Sequence, residues 1–230
     1  MKSKHQTIGL FNEYDWEHMN RFEGKNLTCV RGERMVFRDL GFALGAGGAL
    51  VLVGPNGSGK SSLLRLMAGL LRPGAGALTW SGEKISDDPE AHGGRMHYVG
   101  HLDAVKPALT VGENVSFWAS LKGGHDVSAA LDAFTIGHLA DVPGRFLSAG
   151  QKRRVSLARL IAAPAPLWLL DEPTTALDVA AIAALEAAIA RHRAGGGMVV
   201  ASTHSDIAMT DAVKLDLSRY QSGLGVGAAA

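Results

Sequence analysis

The stretch Gly54-Pro55-Asn56-Gly57-Ser58-Gly59-Lys60-Ser61 limits what this chain can be more than any other, because it holds a Gly, four free positions and then Gly-Lys-Ser. On its amino-terminal side runs Ala49-Leu50-Val51-Leu52-Val53, short, apolar and β-branched, which reads as a buried strand. On its carboxyl side, Ser61 to Ala68 carries apolar residues at helical spacing. The context is strand, loop, helix. Glycines at 54, 57 and 59 permit positive φ and put no Cβ between the backbone N–H groups and an anion, so the loop can close into a nest at the positive end of the helix. The run Gly54, Pro55, Asn56, Gly57, Ser58, Gly59, Lys60, Ser61 and Ser62 is therefore expected to hold ATP. Lys60 would reach the β- and γ-phosphates, and Ser61 would place its hydroxyl on Mg²⁺.

At 230 residues the chain fits one large domain, or one core with an inserted subdomain. Lys plus Arg (23) nearly balance Asp plus Glu (22), so the basic field that nucleic-acid binders use is missing. Cys29 is the single cysteine, which excludes an intrachain disulfide and suits a reducing compartment. The apolar runs fall well short of the ~20 residues a spanning helix needs. A membrane role would have to run through a partner.

Residues 1–20 mix charges and aromatics without the order of a secretory signal, and are expected to form an extension outside the fold, with Met19 a second candidate start. A single domain is expected over 21–220. Alternation over Arg21 to Val30 predicts a strand, and Met35 to Phe37 and Gly41 to Leu44 predict two more, giving antiparallel hairpins before the nucleotide loop. Leu78 to Trp80 reads as a strand and Ser81 to Gly94 as polar loop. Met96 to Val99 reads as a core strand. From Gly112 to about Ala163 the pattern is helical, with breaks at Gly123-Gly124 and Pro143-Gly144, so a helical subdomain is expected over about 101–163. Leu167 to Leu170 and Met198 to Ser202 read as central strands around an Ala-rich helix, Val179 to Arg193. The fold class is thus α/β: a mostly parallel core sheet with helices on both faces, an antiparallel β subdomain and an inserted helical subdomain. The tail, 221–230, is small and flexible in composition.

Asp171 and Glu172 follow directly on a predicted strand, at the carboxyl edge where open α/β sheets place ligands. With a phosphate loop nearby, Asp171 would hold Mg²⁺ and Glu172 would orient and deprotonate the attacking water. Ser148, Gly150 and Gln151 stand at a second helix amino terminus, just before the basic and then amphipathic run Lys152 to Leu160, and so form a second anion site. One nucleotide is already served by Lys60. A second anion site makes most sense if it meets ATP held by another copy, which predicts a symmetric head-to-tail homodimer with two shared sites.

Leu-Ser-Ala-Gly-Gln at 147–151, Leu-Leu-Asp-Glu-Pro at 169–173, Ala-Leu-Asp at 176–178 and His204, in this order with the loop at 54–61, resemble the signature loop, acidic strand end, D-loop and switch histidine of an ABC transporter ATPase subunit. The resemblance covers roughly residues 21–220. It implies that Ser148 and Gly150 bind the γ-phosphate across the dimer, that Asp178 couples the two sites, and that His204 contacts the γ-phosphate and steadies Glu172 and water. Two positions depart from the family pattern. His101 stands where a glutamine is usual, which puts metal contact through that loop in question, and Arg31 stands where an aromatic ring usually stacks on adenine. The Arg31 guanidinium plane could stack there instead.

Tyr98 to Thr110, Ser148 to Leu160 and Leu167 to Leu170 together resemble the haem exporter ATP-binding subunits of bacterial cytochrome c maturation. That likeness implies a peripheral protein on the cytoplasmic face of the bacterial inner membrane, bound to integral membrane transporter subunits and driving haem export or release of haem from its chaperone. An ATPase for another cargo, or a soluble ABC protein acting on DNA or ribosomes, are the competing readings. The last class typically has a long coiled-coil insertion or two fused cassettes, and this chain has neither. His97 and His101 are spaced i, i+4, but Met96 to Val99 reads as a strand, so they would not share a helical face and direct haem binding is not expected. Lys152-Arg153-Arg154 reads as helix-end and phosphate-proximal charge, with no nucleic-acid contact expected.

Overall fold

The computed structural model describes residues 20–124, 126–203 and 207–221. Its strands form two sheets. β1 (Phe22–Arg31), β2 (Arg34–Leu44), β4 (Ala75–Trp80) and β5 (Glu83–Lys84) make an antiparallel sheet of order β2-β1-β4-β5. β3 (Ala49–Val53), β6 (Met96–Val99), β7 (Leu167–Asp171), β8 (Met198–Ser202) and β9 (Val213–Asp216) make a parallel sheet of order β6-β7-β8-β3-β9. The helices are α1 (Lys60–Met67), α2 (Pro89–Arg95), α3 (Val111–Leu121), α4 (Val127–Ala133), α5 (Ala149–Ala162) and α6 (Val179–Ala194).

Every residue of β7 and β8 is buried, and the period of two divides them between two cores. Leu167, Leu169, Met198 and Val200 join Leu63, Leu64 and Met67 of α1 and the inner face of the antiparallel sheet. Trp168, Leu170, Val199 and Ala201 join α3, α4, α5 and α6 on the opposite face. Covering on both sides is what a parallel sheet requires. Each fully buried Leu contributes about 1.5–3 kcal/mol relative to exposure. Because the strands are parallel, the ends of β3, β7 and β8 share one edge, with Ser202 in register between Leu52 and Asp171.

Several expectations need correction. Met35 to Phe37 and Gly41 to Leu44 are one strand, β2, whose alternation is masked because Asp39 sits at φ 54 and the register with β1 slips around Leu27. Residues 81–94 are not all loop: β5 closes a short hairpin, and α2 starts where Asp88 accepts a hydrogen bond from Ala91 N at 2.9 Å with Pro89 in the first turn. β9 was not foreseen at all. No helix among the described residues is long and apolar enough to cross a membrane.

Candidate nucleotide site

The edge formed by β3 and β7 carries a cavity of about 530 Å³. α1 enters it without a side-chain cap, behind Gly59 at φ 102; Gly54 and Gly57 are also left-handed, at φ 137 and 77. A Cβ on Gly59 would lie 2.6 Å from Val36 Cγ1, so β2 packs against the loop where only glycine fits. Lys60, 7% exposed, turns back so that its Nζ donates to Gly54 O at 2.7 Å and Pro55 O at 3.2 Å. Ser58 is wholly buried in the same loop, and its Oγ has no protein partner.

Asp171, 2% exposed, is held by two hydroxyls that meet on one oxygen: Ser202 Oγ donates to Oδ1 at 2.6 Å and Ser61 Oγ donates at 3.1 Å. The strand end and α1 are thereby tied together. The next residue, Glu172, lies on the cavity wall with its backbone at φ 48, and its N–H donates to Ser202 O at 3.1 Å. Ser202 was missed in the sequence as anything but strand, although its place at the end of the neighbouring central strand was a usable signal.

Arg31, Lys60, Ser61, Ser62, His101 and Glu172 all reach the cavity lining, with Asn56, Gly57 and Gly59 from the loop. Arg34 and Thr175, which sequence reasoning did not single out, line it too. Ser148, Gly150, Gln151 and Asp178 lie outside that lining. Ser148 caps α5 in a reciprocal box: its Oγ accepts from Gln151 N at 3.3 Å, and Gln151 Oε1 accepts from Ser148 N at 2.8 Å. A Cβ on Gly150 would come 2.7 Å from Ala176 O, so the start of α5 approaches the 173–178 loop closely. Asp178 caps α6 through Ala181 N at 2.9 Å and pairs with Arg154. His204 lies outside the described residues.

The expectation for Arg153 changes, whereas that for His97 stands, because Met96–Val99 is a strand. Arg153 is not phosphate-proximal surface charge; it is 3% exposed and bonded to five acceptors. His97 is buried, with Nε2 donating to Ala163 O at 2.7 Å, and burial holds it neutral by pushing its pKa down to about 3. His101 is exposed on the cavity. Burial likewise raises the Tyr98 hydroxyl, with the hydrogen bond to Arg65 opposing and Asp171 adding to the rise.

Among the described residues, no three His, Cys, Asp or Glu cluster as a metal cage. Mg²⁺ does not need one, since it is commonly held by one or two protein oxygens together with phosphates and water. The residues here fit both groups: an unpartnered buried hydroxyl at Ser58 and a Ser61–Asp171 pair directly beneath the phosphate nest.

Residues 37–175 match the ABC transporter family, and the chain belongs to it. Its similarity within that family is to ATP-binding subunits of the CcmA type. It is 66% identical over 201 residues to the cytochrome c biogenesis ATP-binding export protein CcmA of Rhodospirillum rubrum, covering 86% of each chain. To the protein of the same name in Paramagnetospirillum magneticum it is 62% identical over 205 residues, covering 86% of this chain and 94% of that one. The fold superposes on an ATP-binding subunit of an ABC transporter with a TM-score of 0.74 at 27% identity, over 80% of this chain and 79% of that one. A putative ABC transporter ATP-binding protein from Pyrococcus furiosus gives a TM-score of 0.76 at 23% identity, over 88% of this chain and 100% of that one, a likeness of fold alone.

Proposed function

We propose that the chain is the ATP-hydrolysing subunit of an export complex in cytochrome c biogenesis, working as a homodimer beneath integral membrane subunits on the cytoplasmic face of the bacterial inner membrane, with haem export or haem-chaperone release as the work done. The cargo assignment draws on what the relatives' names say of them and on the sequence resemblance. The convergence of Lys60, Ser61 and Glu172 on one cavity, with Asp171 locked behind Ser61, carries the ATPase reading.

In this reading the backbone amides of 57–61 and Lys60 take the β- and γ-phosphates, and Ser58 and Ser62 complete the loop's polar lining. Ser61 and Asp171 would hold Mg²⁺, which when bound would neutralise developing phosphate charge. Arg31 stacks its guanidinium plane on the base. Glu172 accepts the proton of the attacking water, and His204 holds Glu172 and water in place. Ser148, Gly150 and Gln151 of the partner subunit close on the γ-phosphate, and Asp178 transmits between the two sites.

Glu172→Gln keeps a hydrogen-bonding group of nearly the same shape but cannot take a proton, and general-base catalysis typically supplies about 10²–10⁴ in rate. The variant is expected to bind Mg²⁺-ATP, accumulate a closed dimer and stop releasing phosphate. Asp171→Asn should weaken nucleotide binding as well. Size-exclusion chromatography with Mg²⁺-ATP beside a phosphate-release assay separates the two, and near wild-type turnover in Glu172→Gln would place the base elsewhere.

A further inference from the structure

Arg153 stands in the first half of α5, and its guanidinium is surrounded by acceptors from two separate segments. Nε donates to Pro173 O at 3.2 Å. Nη1 donates to Gly100 O at 2.8 Å and to Asp103 Oδ1 at 3.1 Å. Nη2 donates to Asp171 O at 2.8 Å and to Glu172 O. An arginine has five N–H donors, and here all are used.

Three of the acceptors are the consecutive carbonyls of Asp171, Glu172 and Pro173. In a continuing strand, successive carbonyls point to opposite sides, so one cation could not collect three in a row. They converge because Glu172 leaves the strand in the left-handed region at φ 48, a strained conformation for a non-glycine residue. Hydrogen bonds from a charged donor are stronger than neutral ones, and three of them hold that backbone. The remaining two acceptors, Gly100 O and the Asp103 carboxylate, flank His101, which lines the same cavity as Glu172.

We propose that Arg153 is a positioning residue for hydrolysis: it holds Glu172 in its left-handed conformation, so that the carboxylate faces the cavity, and fixes the loop carrying His101 to the same anchor. It does not touch nucleotide; it acts through the carbonyls beneath Glu172. This rests on Glu172 being the general base.

The test compares Arg153→Lys, Asp103→Asn and Glu172→Gln in the full chain, singly and with Arg153→Lys combined with Glu172→Gln. Lysine keeps the charge but has three donors and no planar fork, so it cannot serve five acceptors. Arg153→Lys is expected to lower kcat about ten- to hundredfold with the Mg²⁺-ATP Kd within about threefold of wild type, and Asp103→Asn to lower kcat by less. Added to Glu172→Gln, Arg153→Lys should cause no further loss, as for residues acting through one group. A folded Arg153→Lys protein with unchanged kcat while Glu172→Gln is dead overturns the positioning role and leaves the base reading intact. Glu172→Gln with near wild-type turnover overturns the base reading, and the positioning role with it. Should Arg153→Lys fail to fold, Asp103→Asn decides alone: a fall in kcat at constant Kd supports the role, and equal kcat or a parallel change in both overturns it.

Discussion

α1 and α5 both begin at a loop of small residues, yet their amino termini are opposite in kind. The start of α1 has no side-chain cap and follows a left-handed glycine. Its amides are left for a ligand. The start of α5 is closed by its own chain, through the Ser148–Gln151 box. A serine hydroxyl that accepts from Gln151 N still has its hydrogen to donate, so this end offers one aimed O–H beside the first free amides rather than a full cradle. In the proposed reading the first end is a nucleotide site in itself and the second is the complement of one. Their carboxyl ends, by contrast, are alike: His92 Nε2 meets Met67 O at 2.8 Å at the end of α1, and His97 Nε2 meets Ala163 O at 2.7 Å at the end of α5.

The contrast at the amino termini breaks most sharply in mixed dimers. Lys60→Ala and Ser148→Arg protomers should each be inactive alone, while one kind of heterodimer retains a single intact composite site. Recovery of phosphate release on mixing is expected; no recovery despite demonstrated subunit exchange would make the two ends independent. Next in size, Lys60→Ala should weaken ATP binding about ten- to hundredfold, the loss of a charge-assisted hydrogen bond of ~1.5–3 kcal/mol, as read by titration with labelled nucleotide.

The likeness at the carboxyl ends is tested by acid. A carbonyl can only accept, so each Nε2 carries the hydrogen, and protonating Nδ1 would add a buried donor; on His92 that atom has no protein partner. Burial lowers both imidazoles, His97 to about 3. The unfolded chain therefore binds more protons below pH 6.5, so stability is whole above that value and falls as pH drops toward 3. At pH 5 His97 should account for a loss of ~2 kcal/mol, from 1.36 kcal/mol per pH unit. His97→Gln should flatten the dependence of the urea midpoint between pH 7 and 5; an unchanged slope would remove His97 from the explanation. Smallest is Ser148→Ala, which should cost ~1 kcal/mol of folding stability for the lost cap while leaving ATP affinity of the isolated chain unchanged. A weakened affinity there would mean that the α5 end already serves its own chain's nucleotide.

What could be read in advance followed the reach of local chemistry. The loop at 54–61 was legible because its glycines, lysine and serine do their work within one turn of chain. β7 and β8 were legible because strands covered on both faces read as unbroken apolar runs. β9 was not, since Val213 to Asp216 is an edge strand of exposed and half-buried residues without that pattern. α2 did carry a signal, Asp88 before Pro89, but at seven residues it was lost among polar neighbours. The bonds that Ser202 and Arg153 make were illegible for a different reason. Their partners at Asp171 lie 31 and 18 residues away along the chain, and only the packed sheet brings them together.

The lysine folded onto its own loop has a consequence for which molecules can enter. Lys60 spends two of its three N–H donors on carbonyls, so drawing the ammonium off them takes a newcomer with more negative charge than a pair of neutral dipoles. A nucleoside or a monophosphate that cannot span the loop gives too little to turn the ammonium away. In the proposed reading a chain of phosphates does, so the loop would discriminate by the charge and reach of the tail rather than by the identity of the base.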